Sequence, residues 1–181
     1  AWGLIQLKKL GYNVKVIAKL VAWQSQEQVK ETEKKIGIAI ITVPYKFSNK
    51  TLTFKDSVKK ILLKIYNPFL LDGAALEYAE PEIKKILEKE LATWQPDIVW
   101  FDYTYLWPLY GTVRKQKIPI ITRSINYEPI HFLQEDGYTF FNLLKSAPKF
   151  FSEFLSSLKS DHIFAITPKE EKIYRKMNKQ V

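Results

Sequence analysis

Apolar positions along this chain change period from helical to alternating and back, and the changes delimit its expected elements. Trp2, Leu4, Ile5, Leu7 and Leu10 recur at helical spacing and stop at Gly11, which predicts a helix closed by a glycine C-cap. NVKVIA, Asn13 to Ala18, alternates and is rich in β-branched residues, so it reads as a strand. A polar helix is expected around Gln26 to Lys35, a strand over IAIITV, Ile38 to Val43, and a variable stretch beyond Pro44. From Phe54 to Tyr66 the residues Phe54, Val58, Ile61, Leu62 and Ile65 share one face of a helix, while Lys55, Lys59, Lys60 and Lys64 lie mainly around the other. Pro81 opens another helix, in which Ile83, Ile86, Leu87, Leu91 and Trp94 keep helical spacing.

Three later runs, DIVWF, IPIIT and HIFAIT, are almost continuously apolar. Pro108 marks the first turn of a helix that follows the first run and reaches about Lys117. IPIIT breaks into a polar cluster, Arg123 to Glu128, stopped by Pro129. A long aromatic segment, Tyr138 to Leu158, is interrupted by Pro148. After HIFAIT, Thr167 caps a helix with Pro168 in its first turn and Glu170 placed to complete a capping box. Apolar runs of this kind suit strands covered on both faces, so the alternation predicts a doubly wound, Rossmann-like α/β domain with a mainly parallel sheet. Such sheets bind ligands beyond the carboxyl ends of their strands, which directs attention to the residues that follow each run.

Composition narrows the chemistry. With 46 % apolar and 26 % charged residues the chain is neither disordered nor collagen-like. It has no cysteine, hence no disulfide or thiolate metal site. No cluster of His, Asp and Glu has metal-ligand spacing, and no Ser-His-Asp order with a nucleophile elbow occurs. With 6 glycines there is no GxGxxG or P-loop pattern. No charge-free apolar stretch is long enough to span a bilayer and the N-terminus lacks signal-peptide order, so the expected location is cytoplasmic or peripheral at the inner face of a membrane. The net charge of +9 favours an anionic partner. The excess is lysine, since Arg114, Arg123 and Arg175 are the only arginines, which disfavours nucleic acid.

The ordered set GYNVKVIA, PDIVWFDYTYLWPL, IPIITRSINYE and SDHIFAITPKEE resembles the N-terminal half of a glycosyltransferase of family four, the retaining, nucleotide-sugar-dependent group with a two-domain B-type fold. Gly11, Tyr12, Asn13, Val14 and Val16 match its first strand motif, and Pro96 to Val99 with Pro108 match the next. Pro119, Arg123, Asn126 and Glu128 match the third, and Ser160, Asp161, Ile163, Ala165, Thr167 and Glu170 the fourth. Ile125 stands where the family carries histidine. The resemblance implies that residues 1–181 form one acceptor-side domain without its first strand and glycine-rich loop, and that a C-terminal donor domain is absent. It further implies sugar transfer with retention, a nucleotide-sugar co-substrate, a glycan or lipid-linked acceptor, no cofactor and no obligatory metal. Such a part alone is not expected to turn over. Glu82 and Glu90 repeat the family's E-x7-E donor spacing, but on an amphipathic helix, where the match reads as chance.

Each candidate residue has two readings. Asp102, at the end of DIVWF, either accepts a proton from an acceptor hydroxyl as the catalytic carboxylate or caps the following helix. Arg123, Asn126 and Glu128 either hold a sugar or brace their loop through an Arg–Glu pair. His131 either replaces the function lost at Ile125 or is incidental; His162 is structural. Phe150, Phe151 and their aromatic neighbours either pack on the sheet or, with Lys55, Lys59, Lys60 and Lys64, meet an anionic membrane surface. A non-enzymatic module binding a sugar or phosphorylated ligand, and a basic nucleic-acid-binding domain, are the competing classes.

Overall fold

The computed structural model describes residues 2–21, 23–44 and 53–181, so the variable stretch at 45–52 lies outside the described residues, as does the Trp2 side chain. The chain divides into two compact units, Ala1–Leu52 and Thr53–Val181.

In the first unit, α1 (Trp2–Lys9) ends as expected at Gly11, whose φ of 89° turns the chain so that Tyr12 N–H reaches Leu7 O at 3.1 Å. β1 (Lys15–Leu20) starts two residues later than the alternation predicts. It pairs in parallel with β2 (Ala39–Pro44), Lys15 opposite Ala39. Between them α2 (Gln26–Ile36) opens with a capping box: Ser25 Oγ accepts from Gln28 N–H, and Gln28 Oε1 accepts from Ser25 N–H. It closes on Gly37 at φ 64°. Ile36, Ile38 and Val43 form the buried centre. Gly37→Ala forces an alanine into the left-handed region and crowds Lys8, whose Nζ donates to Gly37 O at 2.7 Å. A loss of about 1 kcal/mol is expected in urea unfolding.

The second unit carries α3 (Phe54–Tyr66), the 3-10 helix Pro68–Leu71, α4 (Gly73–Tyr78) and α5 (Pro81–Trp94). The basic amphipathic helix has the bounds expected of α3, yet none of its residues is buried. In α5, Pro81 pre-sets the first turn, and Ile83, Leu87 and Leu91 bury one stripe four residues apart. β3 (Val99–Asp102) leads into the 3-10 helix Thr104–Leu109 and α6 (Tyr110–Lys115). Pro108 therefore lies inside the 3-10 helix and not in the first turn of an α-helix, a correction to the sequence reading. β4 (Ile120–Arg123) is followed by α7 (Glu128–Asp136), α8 (Phe140–Lys159), β5 (His162–Phe164) and α9 (Pro168–Tyr174).

The sheet is parallel in the order β3-β4-β5, and Asp102 lies opposite Arg123. Phe101, Ile120, Thr122 and Ile163 are buried on one face. The other face departs from the expectation of two covered faces. There Trp100 and Phe164, 42 % and 43 % exposed, stack with ring centroids 5.2 Å apart.

α8 carries the largest surprise. It runs unbroken through Pro148, and it is turned against its hydrophobic pattern. Ser152, Glu153, Ser156 and Ser157 are buried, whereas Phe140, Phe141, Phe150, Phe151 and Phe154 are exposed, which overturns packing of the aromatic arc on the sheet. The hydroxyl face is buried because its partners wait for it: Trp107 Nε1 donates to Ser152 Oγ at 3.1 Å, and Ser152 donates to buried Asp72 at 2.6 Å. Tyr110 Oη contacts Thr122 Oγ1 at 2.6 Å and Ser156 Oγ at 2.9 Å. Thr122 contacts Ser160 at 2.7 Å, and Ser160 donates to Ser156 O at 2.8 Å. Each of these four contacts is supplied by one of the four hydroxyl hydrogens present, so this buried network closes on itself. Burial pushes the Tyr110 hydroxyl up to about 12, and it stays neutral.

Candidate functional site

Two groups of polar residues gather beyond the carboxyl ends of the parallel strands. The first is built by register. Because Asp102 and Arg123 end adjacent strands, Arg123 Nη2 donates to Asp102 Oδ2 at 2.9 Å. Asp102 Oδ1 accepts from Trp100 Nε1 at 2.8 Å. Asp102 makes no helix cap, since the 3-10 helix after it has Tyr103 at its start and no side-chain cap bond. Tyr103 itself holds φ 115°, a strained conformation for a residue with a side chain and one that costs on the order of 1–3 kcal/mol. Its N–H donates to Arg123 O at 3.0 Å, tying the strained turn to β4.

The second group forms a pocket of about 210 Å³ between the loop after β4, α7 and the start of α9. Asn126, His131, Gln134, Thr167, Lys169 and Glu170 supply polar groups to its wall; Tyr127, Ile130 and Ile173 supply apolar surface. The volume is below the roughly 300–1,000 Å³ of drug-sized sites, so it suits one small polar unit. Glu170 is not the second half of a capping box: its Oε1 accepts from Tyr127 N–H at 2.8 Å, and Thr167 Oγ1 donates to its Oε2 at 3.1 Å. It thus joins α9 to the loop bearing Asn126. His131 Nε2 lies 3.4 Å from Glu135 Oε1, one turn along α7.

Asn126 and His131 therefore share one pocket, and Asp102 and Arg123 share an ion pair beside the sheet; neither Asp102, Arg123 nor Glu128 lines the pocket. Arg123 braces against Asp102, not Glu128, which corrects the expected Arg–Glu pair. Pro129 does not stop the cluster; it occupies the first turn of α7, directly after Glu128. Burial raises the Glu128 carboxyl, with Lys149 and His131 opposing. His162, half-buried in β5, packs edge-on to Phe164. No group of His, Cys, Asp and Glu capable of holding a metal ion occurs among the described residues.

Behind the pocket lies a carboxyl group that sequence patterning misses. Glu153 is fully buried, its Oε1 accepting from Thr104 Oγ1 at 2.9 Å and from Glu128 N–H at 3.1 Å. Oε2 lies 2.6 Å from Tyr174 Oη, which lies 2.7 Å from Ser124 Oγ, which donates to Asn126 O at 3.0 Å. These last three contacts need three hydrogens, and Tyr174 and Ser124 supply two. The third belongs to Glu153, so the carboxyl is neutral and donates to Tyr174. Burial is the main cause; it pushes this carboxyl up to about 8, against the pull of its hydrogen-bond donors. Burial likewise raises the Tyr174 hydroxyl. A directed chain thus runs from α8 through α9 to the Asn126 backbone.

Compared with known proteins, the chain matches no family model, no curated protein and no solved structure.

Proposed function

We propose that this chain is the acceptor-side part of a retaining, B-type glycosyltransferase that uses a nucleotide-sugar donor and requires no metal. The observation that carries the reading is the small polar pocket beyond β4 and β5, whose wall of amide, imidazole, ammonium and carboxylate groups around Tyr127 and Ile173 suits a polyol with an apolar ring face. Its place at the carboxyl ends of parallel strands is where doubly wound sheets bind ligands. In this reading Asn126 and His131 hold the acceptor sugar. Asp102, paired with Arg123 at the end of β3, positions an acceptor hydroxyl and takes up its proton in this reading.

The test uses the full-length protein, a panel of radiolabelled nucleotide sugars and the glycan or lipid fraction of its host as acceptor. Transfer by the wild type and a fall of about 10–100-fold in kcat/KM for Asn126→Ala and Asp102→Ala are expected, with thermal unfolding shifted by no more than a few degrees. Wild-type rates in both variants remove these residues from the site. Saturable binding of monosaccharides without any transfer assigns the chain instead to the non-enzymatic binding modules.

A further inference from the structure

We infer that the face formed by α3, the 3-10 helix Pro68–Leu71 and α8 docks on an anionic lipid surface, a property independent of the transferase reading. On α8 the rings Phe140 and Phe141 are 70 % and 71 % exposed, and Phe150, Phe151 and Phe154 are between 37 % and 44 % exposed. On α3, Phe54, Ile61, Ile65 and Tyr66 are all more than half exposed. The 3-10 helix packs against both α3 and α8, and its Phe69 meets Phe151 with ring centroids 5.3 Å apart, as Phe151 meets Phe150 at 6.0 Å. An exposed apolar band this rich in large side chains exceeds what scattered surface residues provide.

Charge identifies the occupant. α3 and α8 together carry seven lysines, Lys55, Lys59, Lys60, Lys64, Lys145, Lys149 and Lys159, of which Lys149 is turned to Asp72 at 3.9 Å, against two acids, Asp56 and Glu153. Glu153 is fully buried and neutral, which leaves Asp56 as the acid outside the core. A second copy of the same face would bring two such lysine sets together, so self-association is opposed by like-charge repulsion. An anionic bilayer satisfies both parts: rings enter the boundary between headgroups and acyl chains while lysine stems lie along it with their ammonium groups at the phosphates. No helix among the described residues is long and apolar enough to cross a membrane, so the contact is one of lying on the surface.

The test is co-sedimentation of the full chain with vesicles of pure phosphatidylcholine or of phosphatidylcholine with 30 % phosphatidylserine (about the charge of a strongly anionic leaflet), at low and high salt. Binding to the anionic vesicles, at least tenfold weaker on neutral ones and in high salt, is the expected result. Lys55→Glu/Lys59→Glu should weaken it about 25-fold or more, and Phe140→Ser/Phe141→Ser about tenfold or more, each with the circular dichroism of the wild type. Equal binding to both vesicle types, no binding to either, or a wild-type dimer in light scattering that Phe140→Ser/Phe141→Ser dissolves would overturn the assignment. None of these outcomes depends on sugar transfer.

Discussion

Unfolding free energy falls by several kcal/mol between pH 5 and pH 8, and Glu153→Gln removes most of that fall. The folded-state pKa of Glu153, about 8, lies above the ordinary 4.5 of the unfolded chain. Below 4.5 both states hold the proton and the folded state has its full stability. Between 4.5 and about 8 the folded protein retains a proton that the unfolded chain has released, so each rise in pH favours unfolding. Above about 8 both are ionised and the slope ends. A shift of this size corresponds to on the order of 4 kcal/mol. Glutamine keeps the acceptor for Thr104 and Glu128 N–H, and its amide donates to Tyr174 as the neutral acid does. The variant is therefore close to wild type at pH 5 and more stable at pH 8. Glu153→Leu, which strands two donors and takes from Tyr174 the hydrogen it accepts, loses about 3 kcal/mol even at pH 5. Urea unfolding of the three proteins at pH 5, 6, 7 and 8 checks this, and parallel wild-type and glutamine profiles would place the proton elsewhere.

The same carboxyl carries no mark of its burial in the sequence, since a glutamate on an amphipathic helix belongs by type on the solvent face. α3 and α5 were predicted with their observed bounds because period and punctuation agree: Pro81 fixes one start, and Ile83, Leu87 and Leu91 point one way. The parallel pairing of β3, β4 and β5 followed from runs too apolar to alternate, although Trp100 and Phe164 show that such runs do not guarantee two covered faces. α7 was hidden because Pro129 has two meanings. Proline ends a ladder, but it also suits the first turn of a helix, and here Glu128 and Pro129 open one. Of the candidate site, Asn126 and His131 were found by their place after β4. Thr167, Lys169 and Glu170 follow β5 by the same rule, although Thr167 and Glu170 also fit a capping pattern; Gln134 and Ile173, further along α7 and α9, are brought to the wall only by the fold.

Ser156→Leu is expected to destabilise the protein by about 2–4 kcal/mol, whereas Phe154→Ser changes stability by less than about 1 kcal/mol, the reverse of what hydrophobic patterning assigns to α8. Amphipathic arcs locate a helix face, but not the side on which that face lies. Serines at 152, 156 and 160 read as a solvent stripe until their partners Trp107, Tyr110 and Thr122, about 40 residues away in sequence, are brought against them. Ser156 is fully buried, so leucine overfills its space and removes one of the two contacts of a fully buried tyrosine hydroxyl. Phe154, 37 % exposed, loses chiefly its stacking with Phe150. Urea midpoints of the two variants in the absence of lipid decide between the orientations. Should the phenylalanine prove the costlier, the aromatic arc is the buried one, and the lipid-facing surface fails with it, since both rest on the same turn of this helix.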